Sequence, residues 1–193
     1  MHSLLLAFLF LAAPVPPQHP LPPPGIVLTP NDERDLRSQL DRLTRRLDSL
    51  RENPHAPDVI IFEKAVRYAL DGNEFFTPED VFRAKELLRI GLERADALAN
   101  GAAPWAHATG LSVRGYVSQI DHSVQPYGLV IPPSYSSDRP HRWRVDAWFH
   151  GRSETLSEVN FLWDRLHNAG QFTPQDTIVL HLYGRYCNAS TCA

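Results

Sequence analysis

Arg142-Trp-Arg-Val-Asp-Ala-Trp-Phe-His-Gly-Arg-Ser-Glu-Thr155 is the stretch from which the rest of the chain is read. Trp143, Val145, Ala147 and Phe149 alternate with Arg142, Arg144, Asp146 and Trp148, the period-2 pattern of a strand. His150-Gly151-Arg152-Ser153-Glu154 follows as a small polar loop. Thr155 with Glu158 then predicts a capping box opening a helix over 155–168. A glycine-containing turn between a strand end and a helix start presents backbone N–H groups that hold an anion. An oxyanion hole has the same requirement, donors fixed before charge develops on the substrate oxygen.

Working outward, the period stays at 2 back to Leu111. Arg114–Ile120 and Val124–Ile131 read as a hairpin about Asp121-His122-Ser123, followed by a Pro-rich surface loop over 132–140. Downstream, Leu156, Val159 and Leu162 lie on one face of the predicted helix, with Gly170 as its stop. Thr177-Ile-Val-Leu-His-Leu182 is a short apolar run of the kind found in fully buried strands. The element order is therefore β-β-β-α-β.

With Gln119–Pro132 and Gly184-Arg185-Tyr186 added, these residues resemble the start of an α/β-hydrolase domain of the prolyl-oligopeptidase type. The likeness is closest to secreted bacterial serine hydrolases and covers Val113 to Asn188. It rests on the ordered set Asp121…Ser123, Gln125-Pro126-Tyr127, His150-Gly151 and Gly184-Arg185-Tyr186. The resemblance implies cleavage of peptide or ester substrates without a cofactor. It makes the backbone of Gly151 or Arg152 the oxyanion donor and His150 a residue that shapes the loop, with the catalytic base elsewhere. It puts Arg185 and Tyr186 at the border of the cleft. The family usually has Gly where His122 stands, and His tolerates the positive φ such a turn needs better than most residues.

The family's nucleophile elbow, Gly-x-Ser-x-Gly, occurs nowhere in the 193 residues. Ser153 lacks the second elbow glycine and follows the wrong strand. Eleven residues remain after Leu182, too few for the further helix and strand, roughly 11 and 5 residues on average, that would reach an elbow. The expectation is an incomplete catalytic domain, an N-terminal part without its Ser-Asp-His triad and inactive alone. Its central strand, Arg142–Phe149, would then stand as an open sheet edge.

Upstream lies a helical region over 31–101. Leu36, Leu40, Leu43, Leu47 and Leu50 form an apolar stripe starting after Thr29-Pro30, on a helix packed against its neighbours. A second helix spans about Asp58–Leu70. A third opens at Thr77-Pro78-Glu79-Asp80 and stops at Asn100-Gly101. These three helices suggest a small helical subdomain or pro-region, which a non-catalytic interaction protein would use as its binding module.

Leu4–Ala13 suits the apolar core of a signal peptide over 1–13 and is too short to span a bilayer. Without Lys or Arg before it, a disordered start remains the alternative. A Pro-rich linker over 14–30 follows, and then the helical region and the 111–193 domain; a signal peptide would place the protein in the periplasm or outside the cell. Hydrophobic residues make up 43% of the chain and charged residues 21%, with net charge −3. These are globular values, with no electrostatic reason to expect nucleic acid as a partner. Cys187 and Cys192 are open to a disulfide, to unrelated thiol roles, or to metal only with further ligands. No metal motif is present. Arg152 and Glu154 would bind a substrate terminus or pair with each other, and His181 reads as a hydrogen-bonded core histidine.

Overall fold

Thr29 accepts the Asp32 N–H at 3.1 Å and caps α1, Pro30–Asp48, whose first turn begins with proline. Proline suits this position because its missing N–H would have had no helical partner. Helix α2 spans Pro57–Asp71. Helix α3, Pro78–Ala99, opens on a capping box between Thr77 and Asp80. The strands are β1, Gly110–Val117, β2, Val124–Ile131, β3, Arg144–Phe149, and β4, Thr177–Leu182, with α4, Glu158–His167, between the last two. The computed structural model describes residues 22–138 and 142–184. The signal-peptide segment, residues 14–21 of the linker, Arg185, Tyr186, Cys187 and Cys192 lie outside the described residues.

The four strands form one mixed sheet in the order β1-β2-β4-β3. β1 and β2 pair as an antiparallel hairpin, with Val117 opposite Val124. His122 sits at its tip with φ 58°. β4 runs antiparallel to β2 and parallel to β3, with Trp148 opposite His181 and Phe149 opposite Leu182. Helix α4 is the crossover that returns the chain to place β4 between the hairpin and β3.

All four helices gather on one face of the sheet. α2 and α4 pack on β1 and β2, α3 packs across α2 and α4, and α1 packs on α2 and α3. The leucine stripe of α1, together with Val59, Phe62, Val66, Leu87, Leu88, Val113, Val159 and Leu162, is buried in a single core. Each such side chain contributes about 2 kcal/mol of transfer free energy. Helices and sheet thus share one interior, and the change at 101–111 is a change of secondary structure within it.

Three expectations need correction. Helix α4 begins at Glu158 with Ser157 as its cap, Oγ accepting the Asn160 N–H at 3.3 Å; the Thr155–Glu158 box does not form. Glu158 is instead drawn inward to Lys64 Nζ at 2.9 Å. Next, β4 is buried on alternate residues, Thr177, Val179 and His181, and only partly buried at the others. No helix among the described residues covers the second face. Last, β1 starts and ends earlier than the hydrophobic pattern indicated, because Ser118 closes the turn by accepting the His122 N–H through its carbonyl.

The alternation in β3 is real, but its apolar side faces away from the helices. Val145, Ala147 and Phe149 share a face with Ile178, Leu180 and Leu182, and Val145 and Phe149 stay 57% and 61% exposed. Asp146 and Trp148 are the residues turned toward the helical side.

Candidate functional site

β3 ends at Phe149 and α4 begins at Glu158, so residues 150–157 bridge a strand end and a helix start at the C-terminal end of the parallel pair. Open α/β sheets place ligand sites at this end. The bridge is polar apart from Leu156, which explains why it forms neither strand nor helix.

His150 fastens its beginning. Its Nε2 accepts the Gly184 N–H at 3.0 Å, and its Nδ1 lies 2.7 Å from the Gly151 carbonyl oxygen. One ring nitrogen must accept and the other donate, so the two contacts select the neutral ring with hydrogen on Nδ1. The imidazole therefore ties the end of β4 to the first turn of the loop.

The far end of the loop is held from three directions. Asn160 Nδ2 donates to the Thr155 carbonyl at 3.0 Å, and Arg83 Nη1 donates to Asn160 Oδ1 at 2.7 Å and Asp80 Oδ1 at 3.0 Å. Tyr183 Oη donates to the Leu156 carbonyl at 3.3 Å, its ring 4.9 Å from that of Phe161. Beneath them, Lys64 also donates to the Val124 carbonyl, so the buried Lys64–Glu158 pair joins α2, β2 and the first residue of α4. Lys64 is one of two cations, with Arg67, in the largely apolar run Val59–Leu70, and its place there was its only visible signal. Arg83, Asn160 and Tyr183 had none.

Between these anchors Gly151 and Arg152 are exposed. Neither backbone N–H donates to an acceptor among the described residues. A Cβ added at Gly151 would meet nothing within 4 Å. Arg152 Nη2 pairs with Glu154 Oε1 at 2.9 Å, both side chains being solvent-exposed. This is the second of the two roles open to them. Ser153 lines a shallow cleft of about 340 Å³ with Arg83, Trp163 and His167. His167, however, stacks on Trp163 at 3.9 Å and places Nδ1 2.7 Å from the Trp163 carbonyl oxygen. Ser153 has no hydrogen-bonded base among the described residues.

His181 lies on the covered face of β4, 5% exposed, with its ring against Arg165 Nη1 at 2.9 Å. Burial, and then the Arg165 charge, hold its pKa down at about 4. It is a neutral core histidine. At the hairpin tip the hydroxyl of Ser123, then that of Ser118, hold the Asp121 carboxyl down at about 2; Asp121 Oδ1 also accepts the Ser123 N–H at 3.1 Å.

Among the described residues no group of three or more His, Cys, Asp or Glu is placed to hold a metal ion. Nor is any helix among them long and apolar enough to cross a membrane. Comparison with protein-family models, with curated proteins and with solved structures found no match for this chain.

Proposed function

We propose that residues 150–157 are the oxyanion loop of a serine hydrolase of the prolyl-oligopeptidase type, acting on peptide or ester bonds. The observation that carries this reading is the His150 clamp. A strand end and a loop glycine are fixed by one imidazole, and the neighbouring N–H groups of Gly151 and Arg152 are left without internal acceptors. Donors that are held in place and have no internal partner are what a developing alkoxide needs, because they stabilise charge without reorganising. The β-β-β-α-β order within a β1-β2-β4-β3 sheet supports the same reading.

In the mechanism the substrate carbonyl oxygen would accept from Gly151 or Arg152 N–H as a serine attacks its carbon. His150 acts as a positioning residue. Its Nε2 is already occupied by Gly184, so it is not the base. The nucleophile would come from a segment paired along the free side of β3, and the leader over 1–13 would direct export. Glu154 would face the substrate, as would Arg185 and Tyr186 by the family resemblance.

The test is to extend the reading frame past Ala193 in all frames and treat the expressed product with a fluorophosphonate. A labelled serine within Gly-x-Ser-x-Gly supports the proposal, and extensions that contain no such serine overturn it. In the labelled enzyme Gly151→Pro deletes one backbone donor. It should lower kcat roughly a hundredfold, about 3 kcal/mol, while KM changes little. Unchanged turnover in the folded variant would remove the loop from the mechanism.

The other reading, a non-catalytic protein binding through its helices, has less support, because the leucine stripe of α1 is spent in the core. The free edge of the sheet is the better candidate for an interaction.

A further inference from the structure

β3 pairs with β4 on one side only, and among the described residues nothing pairs with its other side. The row of N–H and C=O groups along such an edge is a template for another strand. We propose that this edge is a homodimer seam, in which two copies of the chain pair β3 against β3, antiparallel, with Val145 opposite its own counterpart. At this edge the seam is an alternative to the hydrolase reading. In that reading a further strand takes the same edge.

Charge selects the register. Two-fold pairing keeps residues of one face together, so the centre must fall on a residue. Centred on Asp146, the strand would set two carboxylates directly opposite each other. Centred on Ala147, it would set Arg144 against His150 and Asp146 against Trp148. Centred on Val145, it sets Arg144 against Asp146 of the second copy, and Asp146 against Arg144, forming two reciprocal ion pairs. Arg142 then faces Trp148, and Trp143 faces Ala147.

The state of Asp146 supports that choice. Its Oδ1 is engaged by its own Arg144 Nε at 2.8 Å, while its buried Oδ2 finds no hydrogen-bond partner among the described residues. A second guanidinium across the seam supplies a donor on the same face. On the other face the two Val145 side chains meet, covering apolar surface that is exposed in the single chain.

The opposite edge limits assembly to two copies. On β1, Asp58 Oδ1 accepts the Gly115 N–H at 2.9 Å, and Arg94 Nη1 donates to the Val113 carbonyl at 2.9 Å. With β1 closed, pairing through β3 doubles the four-stranded sheet once and ends there, a closed two-fold assembly.

Sedimentation of the purified chain at micromolar concentration and low salt should give about twice the 21.8 kDa chain mass. Arg144→Asp and Asp146→Arg, each alone, put like charges opposite each other twice and should weaken the dimer by about tenfold or more. The double exchange restores opposite charges at both positions and should recover it, with circular dichroism confirming that each variant is folded. A wild-type monomer, including one whose β3 amides are protected by another part of the same chain, overturns the proposal. So does an oligomer indifferent to both single reversals, or a ladder of higher species. If a reversal unfolds the chain, Val145→Cys with Cys187 and Cys192 changed to Ser gives a second readout. Oxidation should link two chains at position 145, and failure to link them overturns the register.

Discussion

At the β1 edge of the sheet the backbone is closed by buried side chains from the helices; at the β3 edge, three strands away, it is bare among the described residues. Asp58, buried at the start of α2, accepts the Gly115 N–H at 2.9 Å and the Trp105 Nε1–H at 3.0 Å. Arg94 from α3 donates to the carbonyls of Asp58 and Val113, its guanidinium 5.0 Å from the Phe62 ring and 4.9 Å from the Trp105 ring. Burial holds the Arg94 pKa down to about 10, which still leaves it charged near neutrality. Among the described residues β3 has the Arg144–Asp146 pair, the Trp148–Phe172 ring stack at 5.6 Å and exposed Val145 and Phe149. An edge is closed when a neighbouring element brings polar groups to its backbone, and here α2 and α3 do so for one edge alone.

The largest effect should follow from opening the closed edge. Asp58→Ala strands the Gly115 and Trp105 donors and leaves Arg94 without a nearby carboxylate. Buried donors without partners cost about 1–3 kcal/mol each, so a loss of about 3–5 kcal/mol is expected in urea unfolding. A loss under about 1 kcal/mol would show that Asp58 does not close this edge.

Gly115→Ala tests how tightly α2 lies on β1. An added Cβ would stand 2.1 Å from the Pro57 carbonyl oxygen, so strand and helix must part. The expected cost is about 2 kcal/mol, with faster hydrogen exchange along β1. Wild-type stability would mean that α2 sits loosely there.

Between the edges, His181 gives the comparison a pH dependence. Its folded pKa, about 4, is below the ordinary 6.5. Its contribution is therefore complete above pH 6.5 and is lost as pH falls toward 4, because the unfolded chain takes up the proton first. The urea midpoint should fall across that window, and a folded His181→Gln variant should show a shallower fall. Equal slopes in the two proteins would contradict the assignment.

The smallest effect belongs to the bare edge. Phe149→Ser removes a side chain that is 61% exposed, so stability should change by no more than about 0.5 kcal/mol. A loss above about 2 kcal/mol would reveal a covered edge.

The elements themselves were legible from local signals. Thr29-Pro30 and Thr77-Pro78-Asp80 start helices because capping acts over three or four residues. The β1–β2 turn was legible because His122 accepts a left-handed conformation and Asp121 and Ser123 tie the loop. The start of α4 was misjudged because two local caps, Thr155 and Ser157, were both available. The choice between them rests on Glu158, which the chain cannot bury without Lys64 from α2. The site was legible as a loop and a histidine, but its anchors at Lys64, Arg83, Asn160 and Tyr183 come from elements distant in sequence.

The sequence by itself determined the order of helices and strands, the period of each and the polar break at His150-Gly151, since these depend on neighbours along the chain. Only the tertiary structure decided which face of β3 meets the helices, which edge of the sheet Asp58 and Arg94 close, and which nitrogen of His150 carries its hydrogen. An alternating strand has two equivalent faces and two equivalent edges until another element packs against it. Here the four described helices pack on one side, and among the described residues the buried charges that seal β1 have no counterpart beside β3.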